Sequence, residues 1–287
     1  MEVSIKTISS ANEIRGIAKK IKLDGETIGL VPTMGFLHEG HLSLIRESKK
    51  RCDKTIVSIF VNPAQFAPNE DLAKYPRDIE NDKIFLEKEG VDFVFIPDEH
   101  EIYPYNFQTY VEVNEISKKY EGEFRPTHFK GVTTIVLILF NCVQPDYAFF
   151  GQKDAQQLAV IKQMVNDLKL DIKIVECPIV RENDGLAMSS RNVYLSSEER
   201  TQALNLYKAL LYGRKLIEGK EMNPQVVTDN MRIIISEEKS IKLDYVAIVN
   251  AYGFREVDLI DHGNEYYILL AARVGNTRLI DNILITV

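Results

Sequence analysis

Two histidines lie three residues apart in the segment VPTMGFLHEGHLSL, residues 31–44. An imidazole can bind a metal ion or donate a hydrogen bond to a phosphate, and many histidines do neither. The helix of a zinc protease spaces its histidines one residue further apart with no glycine between them, so His38 and His41 match that site poorly. A third ligand would have to be a carboxylate or another histidine, of which the chain has His100, His128 and His262. A metal site, a phosphate site and a pair of incidental surface histidines therefore remain open.

The position of this segment favours a phosphate site. The run TIGLVP predicts a strand that ends at Val31-Pro32, Gly35 predicts a turn, and we expect a helix to start near His41. In such a strand-turn-helix unit, backbone N–H groups and the positive end of the helix dipole converge, which attracts phosphate. Gly40 would let a nucleotide approach the backbone closely. The two imidazoles could then donate hydrogen bonds to a phosphate whose charge grows as its α-phosphorus is attacked.

Short apolar runs alternate with amphipathic helical stretches up to about residue 180. The predicted strands are TIGLVP, TIVSIFVN, VDFVFIP, PDYAFFG and IKIVECP, and the predicted helices include GVTTIVLILFNCV and DAQQLAVIKQMVNDL. This alternation predicts an α/β domain over residues 1–179 with a Rossmann-like, doubly wound parallel sheet. In the helix after Gly151, we expect one apolar face to pack on the sheet, formed by Leu158, Ile161, Val165 and Leu168. The same periodicity places Lys153, Asp154 and Gln157 together on its first turn.

The pattern changes after Arg181. A polar loop, RENDGLAMSSRN, precedes two predicted helices, from about Ser197 to Gly219 and from about Pro224 to Lys239. Three predicted strands follow, LDYVAIVN, YYILLAARV and TRLIDNILITV, the last two joined around Gly275-Asn276. The sequence therefore predicts a smaller α+β domain over residues 180–287.

Composition restricts the partners and the compartment. The chain has 287 residues, of which 45% are hydrophobic and 27% charged, with a net charge of -7. A net negative charge argues against general nucleic-acid binding. The three cysteines lack CxxC spacing, which predicts reduced, buried thiols of a cytoplasmic protein rather than disulfides. The N-terminus lacks the features of a signal peptide, and the longest apolar run is too short to span a bilayer.

Five segments resemble a known family in their order and spacing. HEGH resembles the HxGH motif of the nucleotidylyltransferase superfamily, whose members transfer a nucleotidyl group from ATP and release pyrophosphate. With HEGH, the segments SIFVNPAQFAPNEDLAKYPRD, RPTHFKGV, FFGQKDAQQL and DGLAMSSRNVYLS resemble the pantoate–β-alanine ligase (pantothenate synthetase) family over essentially the full length. That resemblance implies that ATP, (R)-pantoate and β-alanine give pantothenate, AMP and pyrophosphate through a bound pantoyl adenylate. This is the last step of pantothenate (vitamin B5) biosynthesis.

The resemblance also implies roles for matching residues. Gln65 would bind pantoate and β-alanine, and Gln157 would bind pantoate. Lys153 would contact phosphate, Asp154 the ribose and the backbone of Val180 the adenine, while the loop Met188–Arg191 would close over the triphosphate. The implied catalytic donors are His41, His38, Lys153, Ser189 and Arg191. The implied ATP site comprises Met34, Gly35, Phe36, Leu37, His38, Glu39, Gly40, His41, Gly151, Gln152, Lys153, Asp154, Val180, Met188, Ser189, Ser190 and Arg191.

Other expectations concern cofactors, partners and two further motif residues. The resemblance implies Mg²⁺ that travels with ATP instead of a protein metal site, no prosthetic group, and a homodimer formed through the N-terminal domain. Arg125 could approach phosphate or stabilise a wall of the site, and His128 could be a structural histidine. Three alternatives remain: an HxGH nucleotidylyltransferase with another acceptor, a nucleotide sensor without catalysis, and a zinc-binding module.

Overall fold

The computed structural model describes residues 5–68 and 70–287 and divides into two compact units. One comprises Met1–Gly151 and Val160–Pro178, and the other comprises Gln152–Ala159 and Ile179–Val287. Within the described residues, no helix has both the length and the apolar character that a membrane crossing requires.

A six-stranded sheet forms the centre of the first unit. Its strands are β1 (Thr7–Ile8), β2 (Ile28–Thr33), β3 (Lys54–Ile59), β4 (Phe93–Phe95), β5 (Tyr147–Gly151) and β6 (Lys173–Cys177). They pair in the order β1-β4-β3-β2-β5-β6, and every pair is parallel. The predicted Rossmann-like α/β fold is confirmed. The chain runs from β2 outward to β3 on one side and later to β5 on the other, so the sheet has a topological switch point between β2 and β5.

Helices connect successive strands of this sheet. They are α1 (Ala11–Leu23), α2 (Glu39–Arg51), α3 (Ile79–Lys88), α4 (Glu99–Ile102), α5 (Glu121–Phe124) and α6 (His128–Val143). Ile28, Leu30 and Val31 of β2 are fully buried, as expected for a central parallel strand. The two-residue strand β1 was not predicted, because it is too short to show a pattern.

Helix α6 packs closely against the 3₁₀ turn Pro63–Gln65 that follows β3. Gly131 makes this approach possible, since a Cβ atom at that position would lie 2.4 Å from the carbonyl oxygen of Ala64. The close packing places Gln65 against a rigid, buried helix.

One helix, α7 (Ala155–Asp167), continues from one unit into the other. Ile161 and Met164 are buried, with 0% and 1% of their surfaces exposed. The prediction that Leu168 is buried was wrong, because the helix ends at Asp167 and the Leu168 side chain is 49% exposed.

The second unit contains two helices and an antiparallel sheet, which confirms the predicted α+β C-terminal fold. The helices are α8 (Ser197–Glu218) and α9 (Pro224–Ser236), and the strands are β7 (Ile241–Asn250), β8 (Glu265–Val274) and β9 (Thr277–Thr286). Helix α8 begins with a capping box between Ser196 and Glu199. The predicted hairpin around Gly275-Asn276 is confirmed by the pairing of Val274 with Thr277.

Candidate active site

The turn after β2 is held in an unusual backbone conformation by buried side chains. The Thr33 hydroxyl donates to the Ser58 carbonyl over 2.8 Å and accepts from the Gly35 N–H over 3.2 Å. Gly35 and Phe36 have φ angles of 80° and 52°, in the left-handed region. A non-glycine residue in that region costs about 1 kcal/mol or more, so Phe36 needs support from its surroundings.

Asp82 of α3 provides that support. Its carboxylate accepts from the N–H of Phe36 over 2.9 Å and from the N–H of Leu37 over 2.7 Å, and the residue is 1% exposed. Burial raises the pKa of the Asp82 carboxyl, while the two N–H donors act in the opposite direction. The sequence contained no signal for this contact, since the partners are 45 and 46 residues apart.

The two histidines cap helix α2. The helix begins at Glu39 with His38 as its N-cap, so the predicted start near His41 was two residues late. The His38 Nδ1 atom accepts from the Gly40 N–H over 3.2 Å, and the His41 Nδ1 atom accepts from the His38 N–H over 3.3 Å. The two ring centroids are 4.1 Å apart. Histidine is not among the preferred N-cap residues, which is why the sequence pattern misplaced the start.

These hydrogen bonds determine which ring nitrogen carries the hydrogen. In a neutral imidazole, a nitrogen that accepts a hydrogen bond leaves the hydrogen on the other nitrogen. Because both Nδ1 atoms accept from backbone N–H groups, His38 and His41 each carry a hydrogen on Nε2. Two Nε2–H donors therefore lie at the positive end of α2.

In this structure, the backbone N–H groups of residues 35–38 are engaged in hydrogen bonds within the protein. The N–H groups of Gly35, Phe36, Leu37 and His38 bond to Thr33, Asp82 and His41. The Glu39 carboxylate forms an ion pair with Arg46 on the same helix. Anion binding here would therefore depend on the helix dipole and the imidazoles. In residues 5–68 and 70–287, no group of three or more His, Cys, Asp or Glu side chains is placed to hold a metal ion.

Gln65 is brought into contact with the same turn. Its Nε2 atom lies 3.3 Å from the Met34 sulfur, and its Oε1 atom accepts from the Asn62 side chain over 3.2 Å. Asn62 in turn accepts from the Tyr103 hydroxyl over 2.6 Å and donates to the Gly131 carbonyl over 3.1 Å. Gln65 is 7% exposed. Sequence reasoning missed Asn62 and Tyr103, although Asn62 lies in the quoted segment SIFVNPAQFAPNEDLAKYPRD.

Arg125 and His128 hold the backbone of the same 3₁₀ turn. Both contact the Gln65 carbonyl oxygen, at 3.4 Å from Arg125 and 3.2 Å from the His128 Nδ1 atom. Arg125 also pairs with Glu70 through two 2.8 Å hydrogen bonds. His128 is 7% exposed. In this structure both residues stabilise the wall that carries Gln65.

In the second unit, the GQKD segment forms a 3₁₀ turn, Gln152–Asp154, directly after the last residue of β5, Gly151. The Lys153 ammonium lies 3.7 Å from the Asp154 carboxylate. Gln157 follows in the first turn of α7 and is half-buried.

A backbone hydrogen bond in this unit joins Val180 to the loop from Met188 to Arg191. The Met188 N–H donates to the Val180 carbonyl over 3.0 Å, and Arg181 and Ala187 form an antiparallel bridge. Ser189 caps the following 3₁₀ helix by accepting from the Arg191 N–H over 3.2 Å. Ser190 is buried, whereas Ser189 and Arg191 are half-buried.

A parallel sheet with a capped helix N-terminus at its switch point is the arrangement of a nucleotide-binding α/β enzyme. The pantoate-beta-alanine ligase family model matches residues 6–284. The chain therefore belongs to the pantoate-beta-alanine ligase family. The pantothenate synthetase of Caldicellulosiruptor saccharolyticus is 56% identical over 280 residues, which cover 98% of this chain and 99% of the relative.

Solved structures agree with this assignment. The crystal structure of pantothenate synthetase from Thermus thermophilus is 41% identical, with a TM-score of 0.90, and covers 97% of this chain and 99% of its own. A pantoate-beta-alanine ligase from Francisella tularensis, complexed with beta-gamma ATP and beta-alanine, is 34% identical with a TM-score of 0.78 and covers 98% of both chains. The chain is thus an ATP-using ligase of this family.

Proposed function

We propose that this chain activates (R)-pantoate with ATP as a bound pantoyl adenylate and then transfers the pantoyl group to β-alanine, releasing AMP. Family membership supports the overall reaction. The single observation that carries the proposed first step is the pair of Nε2–H donors at the start of α2, whose tautomers follow from their Nδ1 hydrogen bonds.

In the first step, a pantoate carboxylate oxygen attacks the α-phosphorus of ATP, and the bond to the pyrophosphate oxygen breaks. Negative charge gathers on the phosphate oxygens during this displacement. His41 and His38 would donate hydrogen bonds to those oxygens from Nε2, at the positive end of a helix, where preorganised donors stabilise the transition state most effectively.

Pantoate recognition is assigned to two neutral amides, Gln65 and Gln157. An amide can bind a carboxylate or a hydroxyl without neutralising the oxygen that must attack. The Gln65 side-chain oxygen accepts a hydrogen bond from Asn62, which supports a fixed orientation for that side chain. The contact of its backbone carbonyl with His128 holds the turn that carries it. Gln65 would also contact β-alanine, whose amine attacks the acyl carbonyl in the second step and expels AMP.

The second unit would supply further contacts to ATP. Lys153 would bind phosphate and Asp154 the ribose hydroxyls, while the Val180 backbone would contact adenine. The loop from Met188 to Arg191 would donate from Ser189, Ser190 and Arg191 to the triphosphate. The remaining proposed ATP contacts are Met34, Gly35, Phe36, Leu37, Glu39, Gly40, Gly151 and Gln152. The proposed functional domains are residues 1–179, for ATP and pantoate, and residues 180–287, as a lid.

Magnesium is proposed to enter as the counter-ion of ATP, where it neutralises phosphate charge. Mg²⁺ commonly keeps several waters and binds through substrate phosphates with few protein ligands.

The assembly and location are also proposals. The family resemblance supports a homodimer through the N-terminal domain, which light scattering would test. The three cysteines are free and buried, as is usual in a reducing cytoplasm, and the net charge of -7 disfavours a nucleic-acid partner.

His41→Asn tests the proposed first step. The asparagine amide oxygen can occupy the position of Nδ1 and keep the hydrogen bond to the His38 N–H, but no atom replaces the Nε2–H donor. We expect normal folding and a fall of roughly 10² in pantoate-dependent pyrophosphate release, the scale of losing one transition-state donor. His41→Gln, whose amide nitrogen reaches the Nε2 position, should retain more activity.

His100→Ala is the matched control, because His100 is an exposed histidine on α4 of the same unit. It should release pyrophosphate at the wild-type rate. A His41→Asn variant with near-normal release would remove His41 from the mechanism.

A further inference from the structure

Two consecutive residues of β9, Asp281 and Asn282, are polar and deeply buried. They are 5% and 2% exposed in a strand whose other buried side chains are mostly apolar. Buried polar side chains are costly unless they are hydrogen-bonded, so their partners indicate why they are present.

Asn282 directs its whole side-chain amide at the GQKD segment. The Nδ2 group donates to the carbonyl oxygens of Gln152 and Lys153, both over 2.9 Å. The Oδ1 atom accepts from the Gln152 side chain over 3.1 Å. These three hydrogen bonds join residues about 130 positions apart in the sequence, and they hold two consecutive peptide groups of one short turn.

Asp281 and Arg181 in turn hold the backbone of Asn282 in place. The Asp281 carboxylate accepts from the Asn282 N–H over 2.7 Å and forms a two-pronged ion pair with Arg181 over 2.7 and 2.9 Å. Arg181 also donates to the Asn282 carbonyl over 3.1 Å, and its guanidinium lies 3.8 Å from the centre of the Tyr207 ring. A bidentate pair with a stacked ring holds a planar group in one orientation.

We propose that Asn282 is a positioning residue for adenylate formation, which acts by setting the backbone orientation from which Lys153 reaches the nucleotide. This inference depends on the role of Lys153 under Proposed function. A lysine side chain is flexible, so the position of its ammonium group depends on the position of the peptide that carries it. A displacement of about 1 Å in a positioning group can cost up to 10²-fold in rate.

Asn282→Ala and Asn282→Asp test this role. Alanine removes all three hydrogen bonds, and aspartate keeps the shape but turns a carboxylate oxygen toward two carbonyl oxygens. We expect either change to lower kcat/KM for ATP by roughly 10- to 100-fold. The dissociation constant of pantoate for the ligand-free enzyme should stay within about twofold, since the Asn282 side chain bonds to Gln152 and Lys153 and to neither Gln65 nor Gln157.

The matched control is Thr228→Val on α9. It removes one partly buried hydrogen bond of the same unit, from the Thr228 hydroxyl to the Gln225 carbonyl, and leaves the GQKD segment unchanged. It should lower the thermal midpoint without lowering kcat/KM for ATP. If Asn282→Ala fails to fold, Asn282→Ser, which keeps one donor and one acceptor, replaces it in the series.

A double-mutant cycle with Lys153→Ala separates positioning from general stability. If Asn282 acts through Lys153, Asn282→Ala should cost much less in the Lys153→Ala background than in the wild type. Equal costs in both backgrounds, or wild-type kcat/KM in Asn282→Ala, would overturn the positioning role while leaving the proposed function intact. Absence of pantoate-dependent pyrophosphate release in the wild-type enzyme would instead overturn the proposed function.

Discussion

Asp82→Asn tests how the phosphate-site turn is held. The wild-type carboxylate accepts two backbone N–H groups, from Phe36 and Leu37. The asparagine amide keeps one acceptor oxygen and presents an NH₂ group to the other N–H, which then has no acceptor. Hydrogen bonds to a charged group contribute about 1.5–3 kcal/mol each, and relief of the buried charge offsets part of this loss. We therefore expect the turn to lose about 2 kcal/mol.

Amide hydrogen exchange measures this loss locally. A change of about 2 kcal/mol corresponds to roughly 30-fold faster exchange at Phe36 and Leu37, because every 1.4 kcal/mol is about tenfold. Thermal unfolding followed by circular dichroism should show a lower midpoint, by roughly 4–8 °C at about 2–4 °C per kcal/mol. Exchange within peptides of β3 should change much less.

Asp78→Asn is the control on the same helix. Asp78 caps α3 by accepting one N–H from Asn81, and asparagine caps a helix about as well as aspartate. It should leave exchange at the turn unchanged. Unaltered protection of Phe36 and Leu37 in Asp82→Asn would refute the argument that Asp82 stabilises the left-handed conformation.

Four further outcomes follow from the structure. Asp281→Asn should destabilise the protein by about 3 kcal/mol in urea unfolding, because Arg181 keeps a buried charge without its carboxylate. Burial raises the pKa of Cys52 and Cys177 to about 11, so iodoacetamide at pH 8 should alkylate them at least roughly 100-fold more slowly in the folded than in the unfolded protein. Because folding raises both pKa values, it favours the protonated thiols. The resulting contribution to folding stability is fully present below the unfolded pKa of about 8.5 and is lost as the pH rises toward 11. Gln157→Ala should weaken pantoate binding roughly tenfold in direct titration and ATP binding much less; an equal loss of both would indicate a folding defect. EDTA should stop pyrophosphate release and added Mg²⁺ restore it, with no change in the thermal midpoint of the ligand-free protein; a lowered midpoint would indicate a structural metal.

Much of the fold could be predicted because its signals are local. Alternating buried strands and amphipathic helices predicted the parallel sheet, and Gly275-Asn276 predicted the β8–β9 hairpin. The errors were also local in origin. The start of α2 was misplaced because histidine is an unusual N-cap, and Leu168 was assigned to the core because its periodicity continued past the end of α7.

The sequence by itself determined the order of the main strands and helices, the strand-turn-helix unit and, through five ordered motifs, the family and its reaction. Only the tertiary structure decided how the chemical groups are held. Asp82 reaches the turn from 45 residues away, and Asn282 reaches the GQKD segment across about 130 residues. No local pattern predicts such contacts, because a buried polar side chain finds its partner only after packing has removed water from both. For the same reason, the Nε2–H state of His38 and His41 emerged from backbone hydrogen bonds that form once the helix is capped.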